Sequence, residues 1–530
     1  MLKNLVLVIK ANQEYIRHSK KDFVDVEPEL NSLFETVSEI YIPLLNMLEN
    51  LEKDGFTSKI GLVLPPVLCS LLENTEVQDM YVAWLDNRNA LGEAELKRCA
   101  DNPDLLKNVQ QTIEANNKLK TDFVEKLNKN IIAKFAEYYR KNLLEIIATT
   151  GTEIFMPHYI DIPEVISAQI EIGLQAYRKS FGETPDGFWI PELGYTPGVE
   201  KLIKGYGYLY TILDARSVLL SENVPSKGIF FPARTDNSLA VFANDSSFDG
   251  FMFGEKGIVF NPVYRNENRD IGFELDVEKL NPVMKEGDSR ISTGFRYWNK
   301  CFTDEENSVY DAQKAVECAK NDAVEFLKNK SELLCKAAEL AGESAFVTNV
   351  CSINTDKLRQ NWHEVIIWLE NVIRNSKDYD LNITSCNEML EKQFTFEKIK
   401  PYYSAESGTG YGEDLLSSKN SWMMRYVRKA CERMVDLVDR FPNDTGLKTR
   451  LLNLGAKELL IAQSSGLAKM IENDEFPEFA EKRFKDSIIA FTSVFDSLGS
   501  NTVSTEWLTT LEIYDDIFPW MNYRIFSTKK

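Results

Sequence analysis

Short runs of mostly apolar, β-branched or aromatic residues recur along the first two-thirds of this chain, separated by longer stretches with helical spacing. They cover residues 5–9, 60–64, 143–147, 187–190, 208–213, 239–242 and 346–350. A strand that is apolar at every position is buried on both faces, as in parallel sheets covered by helices. Strands alternating with helices build βα units. Seven such runs predict an α/β fold, a closed or nearly closed (β/α)7 barrel. A doubly wound open sheet is the alternative.

Two helical stretches interrupt this rhythm. Between 101 and 141, Leu105, Val109, Ile113, Phe123, Leu127, Ile131 and Phe135 recur at mostly helical spacing under a mixed-charge face. This predicts a helical insertion over about 85–141. A second helical stretch, 309–340, precedes the last strand. Beyond residue 400 the strands stop, and Trp422, Tyr426, Ala430, Met434, Leu437, Val438 and Phe441 step by threes and fours. The expected division is a barrel over 1–400 and a helical domain over 401–530. The Gly- and Ser-rich stretch 402–412 marks the junction.

Composition narrows the function. The chain carries 61 Lys plus Arg against 81 Asp plus Glu, a net charge of −20. That argues against nucleic-acid phosphates or an anionic membrane as the main partner. No run reaches the ~18 apolar residues of a membrane helix, and 5–9 is too short for a signal core. The eight cysteines form no C-x-x-C pair, and His18, His158 and His363 do not cluster. We therefore expect a cytoplasmic protein without metal or cofactor.

In parallel β/α folds the ligand site lies past the C-terminal ends of the strands. Those positions hold Lys10, Asn12 and Glu14, then Pro65 and Pro66, Thr152 and Glu153, Glu192 and Tyr195, Asp214 and Arg216, and finally Asn354 and Asp356. Such a polar, carboxylate-rich ring suits sugar hydroxyls. The sharpest local feature is GFWIPELGYTPG at 187–198, which sets Glu192 between Trp189 and Tyr195. Aromatic faces stack on sugar rings, and a buried carboxylate can attack an anomeric carbon. The plainer reading is a Gly/Pro-shaped turn with Trp189 in the core. Trp362 and Trp422 likewise could stack on glucose or simply pack.

On this segment, together with YIPLL at 41–45, Tyr264, Arg265 and RDIGF at 269–273, Asn420, Trp422, ERM at 432–434, QSS at 463–465 and KRF at 482–484, the chain resembles glycoside hydrolase family 57, in particular its 1,4-α-glucan branching enzymes. The resemblance implies a seven-stranded barrel with a helical insertion and a helical C-terminal domain. It implies α-glucan as the ligand, Glu192 as nucleophile and Gln463 in the binding surface.

The resemblance breaks at the remaining chemistry. The family's H-x-H-x-P falls on Lys10, Asn12 and Glu14, and its threonine–histidine pair on Thr152 and Glu153. The histidine after Asp214 becomes Arg216. The acid/base aspartate falls on Asn354, and the aspartate and tryptophan after QSS become Gly466 and Leu467. A retaining glycosidase needs a nucleophile and a proton donor with carboxyls about 5–5.5 Å apart, and an amide cannot donate that proton. The expectation is a barrel that keeps its nucleophile and has impaired or lost turnover, acting on or binding carbohydrate. Two alternatives stand beside it. Asp356, two residues on, could serve as a relocated acid/base. Lys10 and Arg216 could retune the pocket to a charged ligand, or Lys10 could pair with Glu14 or Glu153 and plug it.

Overall fold

The computed structural model describes residues 1–19, 27–57, 59–301, 308–342, 345–392 and 395–528. Seven parallel strands among them form the barrel: β1 (Leu2–Lys10), β2 (Ile60–Val63), β3 (Leu144–Ile147), β4 (Gly187–Trp189), β5 (Tyr210–Asp214), β6 (Ala240–Asn244) and β7 (Phe346–Asn354). Their order is β3-β2-β1-β7-β6-β5-β4. A parallel bridge between Ala148 and Phe188 joins the two ends. There the Ala148 N–H donates to the Gly187 carbonyl at 2.9 Å and the Trp189 N–H to the Ala148 carbonyl at 2.7 Å.

Period-two geometry sorts the side chains of each strand. Val6 and Val8 of β1 meet Val63, Ile147, Trp189, Tyr210, Ile212, Phe242 and Val350 in a core inside the barrel. Leu5, Leu7 and Ile9 instead pack into the large core under the helices. The strands are thus buried on both faces, which is why most of their positions are apolar.

The inward phase also decides the mouth. Continuing it by two residues from Val8 and Ile212, and by four from Val350, brings Lys10, Asp214 and Asn354 to the C-terminal ends of β1, β5 and β7. β1 and β7 pair over nine positions, from Leu2 with Phe346 to Lys10 with Asn354. The last strand therefore runs four residues past the apolar stretch, and Asn354 closes it. β2 stops at Val63 because Pro66 opens the helix Pro66–Glu73, where a missing N–H costs nothing.

The inserted helices start earlier than their spacing suggests. Thr75–Arg98 begins at the Asn74 cap, whose side chain accepts from the N–H groups of Glu76 and Val77. It packs along Pro103–Thr121, and Ile131–Arg140 returns the chain to β3. At the C-terminal end, Leu447–Ala462 is buried on nearly every side and packs on Pro477–Ser500. The short helix Ser465–Glu472 is pinned to the barrel mouth. The Ser465 N–H donates to the Glu153 carbonyl at 2.6 Å, and Ile154 bridges to Ser464. No helix among the described residues is long and apolar enough to cross a membrane.

Candidate active site

Glu192 stands just past β4 in the turn Pro191–Leu193, with φ 54° and ψ 17°. Leu193 follows at φ 47°. Non-glycine residues pay about 1–3 kcal/mol for that left-handed region and persist there mainly at functional sites. The turn is clamped from outside: the Glu406 N–H donates to the Glu192 carbonyl at 2.6 Å. The Glu192 side chain is almost wholly buried. Lys469, reaching in from Ser465–Glu472, donates to its Oε2 at 2.8 Å. Burial opposes the charge, but Lys469 and then Lys10 outweigh it, and the carboxyl titrates at about 2. Glu192 is therefore an anion locked in an ion pair.

The other carboxyls around it are pushed the opposite way. Glu14 is buried, with Ser464 Oγ donating to its Oε1 at 2.7 Å. Burial, reinforced by Glu153, Asp356 and Glu192, raises it to about 8 despite that hydrogen bond. Burial also raises Glu153, against the pull of Lys10, whose Nζ lies 3.6 Å from Glu153 Oε2. Burial works against the Lys10 ammonium, but Glu153, Glu192 and Glu406 hold it above its ordinary range. Asp356 is raised by burial, against Arg359 and a hydrogen bond from Asn12. One group of neighbours thus contains both an ionised carboxylate and a carboxylic acid at neutral pH, the separation that acid–base sites use.

Asn354 has a local task. As the cap of Thr355–Asn361, its Oδ1 accepts from the Asp356 N–H at 2.8 Å. Gly466 also has a physical reason. A Cβ there would lie 2.0 Å from Glu14 Oε1, so the Glu14 carboxyl fills the space a side chain at 466 would need.

A cavity of about 290 Å³ opens over these groups, lined by Asn12, Glu14, Glu153, Glu192, Asn354, Asp356 and Lys469, with Lys357, Arg359, Gln360 and Glu475 on its rim. It brings together most of the polar residues expected at the strand ends. Several others lie elsewhere. Trp189 is fully buried in the barrel interior, because its strand phase points it inward, so it offers no face to a sugar. Tyr195 is buried, and its hydroxyl donates to Glu200 at 3.0 Å. Trp362 packs against Tyr264 and Trp368, with ring centres 5.3 and 5.6 Å away.

Asp214 caps its own helix, accepting from the Arg216 N–H at 2.8 Å. The Arg216 guanidinium packs under Gly410, where a Cβ would collide with it at 1.6 Å, and lies outside the cavity. Trp422 meets Phe484 edge-on at 5.4 Å. Gln463 is buried, accepting from Gln169 at 2.8 Å. Sequence reasoning missed Lys469 and Glu475. Neither carries a local signal, since Lys469 is 277 positions from its partner Glu192.

A β/α barrel with an acid-lined mouth, its catalytic-type carboxylate strained past a strand end, is the architecture of a carbohydrate-active barrel. The profile of glycosyl hydrolase family 57 matches residues 6–323, and that of the 1,4-alpha-glucan branching enzyme C-terminal region matches 426–526. The chain belongs to glycosyl hydrolase family 57.

It is 25% identical over 515 residues to the 1,4-alpha-glucan branching enzyme TK1436 of Thermococcus kodakarensis, covering 90% of this chain and 71% of the relative. Among solved structures, the alpha-amylase AmyC from Thermotoga maritima superposes with a TM-score of 0.91 at 26% identity, over 99% of both chains. The family 57-type branching enzyme of Pyrococcus horikoshii has the same fold, with a TM-score of 0.87 at 21% identity over 100% of this chain and 98% of that one.

Proposed function

We propose that this is a branching-enzyme-like family 57 protein that binds α-glucan at the barrel mouth and has impaired or lost glucan transfer. One observation carries the reading. Asn354, the position to which the resemblance assigns the acid/base, has its amide oxygen committed to capping a helix, and Glu192, the position it assigns to the nucleophile, is paired with Lys469 at 2.8 Å. An amide neither protonates a leaving glycosidic oxygen nor deprotonates an acceptor. General acid–base catalysis contributes about 10²–10⁴-fold, and an ion-paired carboxylate is a weaker nucleophile still. Arg216 lies away from the cavity and Lys10 is matched by Glu153, so a neutral glucan fits the mouth better than an anionic one.

A second reading rests on Asp356, which lines the same cavity and is raised by burial. It would make the protein an active transferase. Incubation of the purified protein with amylose, followed by counting new α-1,6 linkages, decides between them. The expected result is no linkage formation above background. Linkages that appear and are lost in both Glu192→Gln and Asp356→Asn would overturn the impaired reading.

A further inference from the structure

Outside the mouth lies a larger cavity of about 420 Å³, between the inserted helices and the helices Ile42–Lys53 and Val365–Asn375. Its size is that of a small-molecule site. Its walls carry amides (Asn50, Gln111 and Asn116), the carboxylate Glu39 and the imidazole of His363. The Nδ2 of Asn116 has no hydrogen-bond partner although the residue is 95% buried, being only 5% exposed, and Oε2 of Glu39 is likewise unpartnered. A buried donor left unmatched costs about 1–3 kcal/mol, so this wall is built for a partner it does not find within the protein.

The charges select that partner. Arg88, Lys118, Arg265 and Arg296 line the cavity. Glu35, Glu39, Glu267 and Asp270 already neutralise the three arginines at 2.8–3.3 Å, and the carboxylates Asp122 and Glu370 line the same wall as Lys118. No excess positive charge remains for an anion. Amides and a carboxylate offering both donors and acceptors suit vicinal hydroxyls. A third recess of about 170 Å³ lies between this cavity and the mouth, sharing Arg296 with the first and Arg359 and Gln360 with the second.

We propose that the cavity beside the inserted helices is a second carbohydrate-binding site, taking one or two hexose units of a neutral maltooligosaccharide. The choice of an α-glucan rests on the reading above; the preference for a neutral polyhydroxylated ligand rests on the cavity alone. Calorimetric titration of the full chain with maltotriose, and separately with inorganic phosphate, tests it. Ala115 lines the cavity, and Ala115→Trp fills it; Asn473 lines the mouth, and Asn473→Trp fills that.

Maltotriose affinity at one site should fall at least tenfold in Ala115→Trp and survive in Asn473→Trp, with phosphate silent. Gln111→Leu, which removes one amide without bulk, should weaken binding several-fold if Ala115→Trp does not fold. Binding unchanged within twofold in both cavity variants would overturn the second site. So would loss of all binding in Asn473→Trp, which would leave the mouth reading intact. Loss in the cavity variants alone keeps the second site and removes the mouth reading. Phosphate binding without maltotriose binding overturns the sugar assignment.

Discussion

Two clusters of buried charge share the helix Thr355–Asn361 and resolve their electrostatics differently. On one side, Arg265 and Arg296 are enclosed by Glu35, Glu39, Glu267 and Asp270. Burial would push Glu39 up, but Arg265 and Arg296 bring it to about 2; against the same burial, carboxylates raise Arg265. Every ion there has an opposite at contact distance, which makes the cluster a brace between residues 35–39 and the segment 265–296. On the other side, the mouth crowds Glu14, Glu153, Glu192 and Asp356 around Lys10 and Lys469, and its carboxyls separate into one anion and several groups pushed toward the neutral form. A brace satisfies its charges, whereas a site leaves some of them unequal.

The comparison breaks most sharply at the brace. Arg296→Met takes a contact cation from Glu35, Glu39, Glu267 and Asp270 and removes the one ion-pair partner that Asp270 has among the described residues, and removing one partner of a buried pair costs about 3–5 kcal/mol. Urea denaturation should show that loss or no folded protein at all; a change under about 1 kcal/mol would mean the cluster is not a brace.

At the mouth, Glu14→Gln should act through pH. The folded pKa of Glu14 lies above its unfolded value, at about 8. Its contribution is therefore complete below about 4.5 and is lost as pH rises through about 8. Between pH 5 and 9 the wild type should lose about 4 kcal/mol more than Glu14→Gln. Parallel melting curves would refute the raised pKa.

Lys469→Met should have the smallest effect, about 1–2 kcal/mol at pH 7, because the lysine side chain is partly solvated. Glu192 is depressed, so its stabilisation is present above about 4.5 and lost as pH falls through about 2. The wild type and Lys469→Met should converge on acidification. A gap that persists at pH 2 would assign Lys469 a packing role instead.

Much of the barrel was legible because each strand states its burial locally. Residues 5–9 and 239–242 are apolar at consecutive positions, and a strand covered on both faces rewards that. The place of Glu192 was legible too, since a glycine- and proline-bounded turn after a strand sets one carboxylate at the strand end by local geometry. Trp189 was not, because a three-residue strand does not announce which way its phase points. Trp362 and Trp422 were ambiguous for a related reason: an aromatic surface satisfies a core as well as a ligand.

Strand–helix alternation and the helical C-terminal region can be read from the chain alone, because they depend on residues near one another in it. Only the tertiary structure decided that Lys469 neutralises Glu192 and that Glu14 fills the space above Gly466. It alone aligned Lys10 with Asn354 across the β1–β7 register. Those pairings join segments hundreds of residues apart, and electrostatic contact depends on distance in space, which chain order does not encode.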